Sequence, residues 1–234
     1  LEGLHKRLEP IYETVERVSG ALDTTTALIG FAGAPWTVAT YMVEGGGSRN
    51  FEHTKVWAFG DPETFGQLID MITEATIAYL SRQIDAGAEA VQLFDTWASA
   101  LPETAFARWC IEPAQRIVSA LRETYPDVPV IGFPRGAGVA LIDYAARTGV
   151  QGIGLDSAVP ATWAGQTIQS QCTVQGNLDP LMLVAGGTAM TNEVRRIVTA
   201  FKNGPFVFNL GHGILPHTPP DHVAELVAAV RSAG

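Results

Sequence analysis

No stretch of the sequence approaches the 18 or so consecutive apolar residues that cross a bilayer as a helix. The opening Leu-Glu-Gly-Leu-His-Lys also lacks the charged-then-apolar order of a signal peptide, so a cytoplasmic protein with no membrane partner is expected. Cysteine is scarce: Cys110 and Cys172 lie 62 positions apart with no second thiol near either. That spacing supports neither a disulfide framework nor a paired-thiol metal site, and both read as buried small hydrophobes. Basic residues are few, 15 against 24 acidic ones, for a net charge of -9, and no Lys/Arg cluster interrupts the acidity. Such a balance repels nucleic acid and acidic membrane surfaces. Phosphate-binding glycine signatures are missing too, since Gly45-Gly-Gly-Ser48 has neither the spacing of a dinucleotide fingerprint nor the lysine of a P-loop. An initial methionine is also lacking, and the expectation is that the protein begins upstream of Leu1.

What is present is enough apolar residue, 47% of 234, to bury a sizeable core. Leu4, Leu8, Ile11, Val15, Val18 and Leu22 recur at helical spacing over residues 1 to 23. Six strand-like runs follow, at 27–31, 90–95, 129–133, 152–156, 173–178 and 206–210. Helical patterns separate them, at 61–86, 104–124, 139–148, from about 160, at 192–202 and at 220–233. Strands alternating with helices mean βα units and a parallel sheet, with no linker to divide residues 1–234. Each strand ends in a polar or glycine-rich cluster: Gly33-Ala-Pro, Asp95-Thr, Arg135-Gly, Asp156-Ser, Asn177-Leu-Asp and Gly211-His-Gly. Functional groups at every C-terminal strand end fit a (β/α)8 barrel mouth better than the single crevice of an open sheet. Six of eight units are visible, so a single barrel domain incomplete at its N-terminus is expected.

The stretch Gly33–Ser48 reads as a strand end opening into a pocket wall, with Trp36, Tyr41 and Met42 on the rim and three glycines releasing the backbone. Tyr41 offers a phenolic donor there, or else packs in the wall with its hydroxyl on backbone. His212, between Gly211 and Gly213 at a strand end, can serve as hydrogen-bond donor, acid or base. His5, His53, His217 and His222 have no such setting and read as surface residues. Asp95 and Thr96 end the second strand, where helix capping is the competing explanation. Asp156 and Asp179 precede Pro160 and Pro180 and read as caps of the following helices. Arg135 either faces an anionic ligand or pairs with a neighbouring loop. Metal binding has little support, because His212 has no partner at ligand spacing.

Phe31-Ala-Gly-Ala-Pro-Trp-Thr37, Tyr41-Met-Val-Glu-Gly-Gly-Gly-Ser48, Gln92-Leu-Phe-Asp-Thr-Trp97, Phe133-Pro-Arg-Gly136, Gln175-Gly-Asn-Leu-Asp-Pro180 and Asn209-Leu-Gly-His-Gly213 closely resemble motifs of the bacterial uroporphyrinogen decarboxylase family. The resemblance implies a (β/α)8 barrel, usually a homodimer. It implies decarboxylation of the four acetate side chains of uroporphyrinogen III to give coproporphyrinogen III in haem biosynthesis, with no metal or organic cofactor. It assigns Tyr41, Thr96 and His212 to substrate binding, and Tyr41 and His212 are the expected catalytic residues. The family's aspartate and its Arg-Gln-Ala-Gly-Arg motif do not occur in this sequence. They belong to the two units expected before Leu1, so the chain by itself is expected to be inactive. Two other readings stay open: a corrinoid-linked methyltransferase of the same superfamily, and an inactive ligand-binding fragment.

Overall fold

The computed structural model describes residues 3–234, so the first two positions of the expected opening helix lie outside the described residues. The elements follow in the order α1 (Leu4–Ala21), β1 (Ile29–Gly33), α2 (Pro35–Glu44), α3 (Glu52–Gly60), α4 (Pro62–Asp85), β2 (Ala90–Asp95), α5 (Glu103–Phe106), α6 (Glu112–Thr124) and β3 (Val130–Pro134). Then come α7 (Leu141–Thr148), β4 (Gly152–Gly154), α8 (Ala161–Thr167), β5 (Thr173–Leu178), α9 (Pro180–Ala185), α10 (Gly187–Phe201), β6 (Phe206–Leu210) and α11 (Pro220–Ala233). The α/β alternation is the one the hydrophobic pattern predicts. Two compact units divide the chain, the first reaching Ala137 and including Arg147–Gln151, the second formed by Gly138–Ala146 and Gly152–Gly234. No helix among the described residues is long and apolar enough to cross a membrane.

In the first unit β1, β2 and β3 pair in parallel, with Phe31 beside Gln92 and Phe94 beside Phe133. Phe31 is 59% exposed on β1, and its outward backbone is not left bare. The buried Gln83 amide of α4 accepts from the Phe31 N–H at 3.0 Å and donates to its carbonyl at 2.9 Å. The side chain passes over Gly30, where a Cβ would come within 2.9 Å of Gln83 Oε1. Helix α4 begins as its sequence predicts, with Asp61 accepting from the Thr64 N–H at 3.1 Å and Pro62 in the first turn.

The connector expected over 33–48 is instead largely helical. Pro35 supplies the preset φ of a first helical position, and Gly45 ends α2 with φ 71, a left-handed conformation that glycine adopts without penalty. Trp36, Ala39 and Thr40, at helical spacing, form its buried face. Trp36 is therefore fully buried, not on a rim. Its ring meets Phe65 edge-on at 6.0 Å, and Phe65 also takes Trp57 at 5.4 Å and Trp109 at 5.0 Å, an aromatic core that orients α2 over α4. Helix α3, not anticipated from the sequence, is tied back to α2 by Glu44, which accepts from both the N–H and the hydroxyl of Thr54. The helix expected over 104–124 is interrupted by a π-helical turn at Ala107–Ile111. Pro113, two residues beyond that turn, has no N–H to return to an earlier carbonyl, and the wider turn accommodates that.

In the second unit β4, β5 and β6 pair in parallel, with Gly154 beside Gln175, Asn177 beside Asn209 and Leu178 beside Leu210. Met190, Val194, Ile197 and Phe201 form the buried stripe of α10, which starts five residues earlier than its sequence pattern suggests.

Candidate active site

Tyr41 and Thr96 belong to the first unit. Tyr41 lies on α2 one turn beyond Thr37 and is 45% exposed. Its ring meets Trp97 edge-on at 6.2 Å, and Phe51 also contacts Trp97, at 5.1 Å. Thr96, half-buried, sits between Asp95 at the end of β2 and Trp97. The structure thus brings Tyr41 beside the residue that follows Thr96.

A polar cluster fixes this corner. Thr37 Oγ1 donates to Asp95 Oδ1 at 2.6 Å and accepts from the Trp97 N–H at 3.2 Å, while Trp36 Nε1 donates to the Trp97 carbonyl at 3.0 Å. Helix α2 has no capping side chain of its own, and the Thr37 N–H in its first turn also turns toward Asp95. Asp95 therefore does the work of a cap, but for α2 and not for the helix after it. Burial pushes its carboxyl up from 3.8 to about 6, while the hydrogen bonds from Thr37 and the Cys110 thiol pull the other way. Burial and the neighbouring carboxylate push the Cys110 thiol well up. Cys110 is a buried residue as expected, yet it faces a carboxyl, whereas Cys172 is only partly buried. Arg135 is half-buried, donates its backbone N–H to the Asp95 carbonyl at 3.1 Å, and forms no ion pair among the described residues.

His212 belongs to the second unit, where it is exposed just beyond β6. The chain reaches it through Gly211, buried with its N–H donating to the Leu178 carbonyl at 2.7 Å. A Cβ at Gly211 would collide with Ser157, so glycine is required for the close approach. Asn177 joins the ends of β4 and β5, its Nδ2 donating to the carbonyls of Val159 at 2.7 Å and Asp156 at 3.1 Å. Asp179 caps α9 as expected, accepting from the Leu181 N–H at 2.8 Å. Asp156 instead closes a local turn by accepting from the Ala158 N–H at 2.9 Å, and α8 has no side-chain cap. His222 is not the surface residue expected: it is half-buried with Nδ1 3.0 Å from the Leu183 carbonyl. Thr37, Trp97 and Asn177 carry much of this geometry; they lie within the quoted motifs, but the sequence assigns them no role of their own. No local signal marks Thr37, because residues 35–44 do not read as a helix and its partner Asp95 lies 58 positions further on.

Among the described residues no group of three or more His, Cys, Asp or Glu side chains is placed to hold a metal ion. A family model described as uroporphyrinogen decarboxylase (URO-D) matches residues 1–233. The uroporphyrinogen decarboxylase of Rhodospirillum rubrum is 56% identical over 229 residues, covering 98% of this chain and 66% of that protein. That of Sphingopyxis alaskensis is 52% identical over 231 residues, covering 99% and 68%. The chain thus spans about two thirds of the length of these relatives. Among solved structures, a methyltransferase from Methanosarcina mazei matches with TM-score 0.82 at 21% identity, over 99% of this chain and 67% of that one. That likeness shows the fold alone, an α/β barrel of the TIM type of which this chain carries six βα units. With a family model matched from end to end and relatives of the same name above 50% identity, the chain belongs to the uroporphyrinogen decarboxylase family.

Proposed function

We propose that the protein containing this chain removes the four acetate carboxyls of uroporphyrinogen III to give coproporphyrinogen III. The carrying observation is the 56% identity to a uroporphyrinogen decarboxylase across 98% of the chain. The methyltransferase likeness, at 21% identity, concerns the fold and does not favour a second reaction. Tyr41 and Thr96 are assigned to substrate binding, and His212 to the same role, with Tyr41 and His212 also serving catalysis. In each turnover a proton on the pyrrole ring carbon makes the ring an electron sink. The bond to the carboxylate carbon then breaks, its electron pair enters the ring, carbon dioxide leaves, and a second proton completes the methyl group as the first departs. A phenol and an imidazole suit this chemistry as donors to substrate carboxylates or as participants in proton transfer. The reading includes no metal or organic cofactor, a homodimer and a cytoplasmic location.

The test is the full-length protein incubated with uroporphyrinogen III, with products separated by chromatography. Coproporphyrinogen III is expected, and its absence from a folded preparation refutes the assignment. Tyr41→Phe and His212→Ala are expected to lower kcat/KM roughly tenfold or more with an unchanged unfolding midpoint. Unaltered kinetics in both would assign these side chains to packing.

A further inference from the structure

We propose that Asp95 is a positioning residue for the reaction assigned above, setting Tyr41 and Thr96 in place through the Thr37 hydroxyl. This rests on that functional reading. Asp95 is 1% exposed, so it acts on the substrate only through others. Burying a carboxyl is unfavourable unless its acceptors are used, and the geometry states the use. A hydroxyl has one proton to give, whereas an ionised carboxylate accepts only. Asp95 Oδ1, 2.6 Å from Thr37 Oγ1, draws that proton and leaves the hydroxyl lone pairs for the Trp97 N–H at 3.2 Å.

Both backbone groups of Trp97 are then held from the first turn of α2, the N–H by Thr37 and the carbonyl by Trp36 at 3.0 Å. Thr96 lies between two anchored residues, Asp95 and Trp97, and has little freedom left. Tyr41 sits four residues after Thr37 on the same helical face, its ring against Trp97 at 6.2 Å. One hydroxyl thereby ties together the helix carrying the tyrosine and the strand end carrying the threonine.

The test uses the full-length enzyme and three substitutions. Thr37→Val removes the hydroxyl at nearly constant shape, and Thr37→Ser keeps it. Thr73→Val is the control, because the Thr73 hydroxyl is equally buried in the same unit but bonds only its own helix, at the Ile69 carbonyl. Thr37→Val is expected to raise KM for uroporphyrinogen III about tenfold, one buried hydrogen bond's worth, with a smaller effect on kcat. It should also speed hydrogen exchange at the Trp97 amide about tenfold. Thr37→Ser should restore both to within about twofold of wild type, and Thr73→Val should change neither. The proposal is overturned if Thr37→Val leaves KM and Trp97 exchange unchanged, or if Thr37→Ser matches Thr37→Val. Should Thr37→Val fail to fold, Thr37→Ala serves in its place: it removes the same hydroxyl with less bulk beside Asp95, and unchanged KM and exchange there overturn the proposal equally. An inactive wild type refutes the assigned reaction. Amide exchange needs no turnover, so in that case unchanged exchange at Trp97 in Thr37→Val overturns the positioning role separately.

Discussion

Replacing Asp95 by asparagine should change how stability depends on pH, in a direction opposite to that of most carboxylates. In the folded chain burial raises the Asp95 carboxyl to about 6 from its ordinary 3.8. The folded state therefore binds the proton more readily than the unfolded one, and the associated stability is complete below about pH 3.8 and lost as pH rises through about 6. The full gap corresponds to about 3 kcal/mol, and about 2 kcal/mol of it appears between roughly pH 7 and pH 4.5. Asparagine has nearly the same shape and still offers Thr37 an oxygen, but does not titrate. Other carboxyls move the opposite way: hydrogen bonds from the Thr54 N–H hold Glu44 below the usual range, and those from Thr25 do the same for Asp23. Absolute stability can therefore fall with acid even while the Asp95 contribution rises, so the difference between wild type and variant is the informative quantity. Urea unfolding followed by tryptophan fluorescence reports on the right region, since Trp36, Trp57, Trp97 and Trp109 lie in the first unit and only Trp163 in the second. Wild type should gain about 2 kcal/mol on Asp95→Asn on going from about pH 7 to about pH 4.5. A gain under about 0.5 kcal/mol, or a loss, would refute the claim that burial dominates this carboxyl.

Phe65→Ala should destabilise the first unit by about 3–5 kcal/mol in urea, because the ring is fully buried among three tryptophans, whereas Met71→Ala, at an exposed site on the same helix, should cost under about 0.5 kcal/mol. Gly211→Ala forces a methyl group onto Ser157 and should lower the unfolding free energy of the second unit by about 1–3 kcal/mol, while raising KM through the adjacent His212; an unchanged midpoint would contradict the close approach. Asp179→Ala removes the cap of α9 and should cost about 1 kcal/mol, measured by the same denaturation.

The fold was legible where one signal sufficed. Period-two or continuous apolar runs located all six strands to within about two residues, and Asp61-Pro62 marked the start of α4 because capping chemistry is local. It was illegible where tertiary context decided. Residues 35–44 carry an aromatic, three threonine or alanine residues and a tyrosine, a composition as suited to a pocket wall as to a helix. What makes them helical is the burial of Trp36 against Phe65, a residue 29 positions further on, and that contact leaves no mark in the local pattern. The interruption at Ala107–Ile111 did have a local mark, Pro113, but a proline alone does not say whether a helix stops or widens.

The same division explains the site. His212 stood out because glycines flank it at a strand end, and Tyr41 because it is a phenol on an apolar stretch; both are properties of adjacent residues. Asp95 was visible as a carboxyl at a strand end, yet its partner could not be guessed, since Thr37 lies 58 positions earlier and joins it only when β1 and β2 pair. The pairing also inverts the usual meaning of a conspicuous carboxylate. Exposed at a strand end, Asp95 would be a candidate acid; at 1% exposure, with Thr37, Trp97 and Cys110 around it, it fixes other groups instead. A chemically conspicuous side chain is thus picked out from its neighbours in sequence, while the residue that fixes its surroundings is recognised only from its neighbours in space.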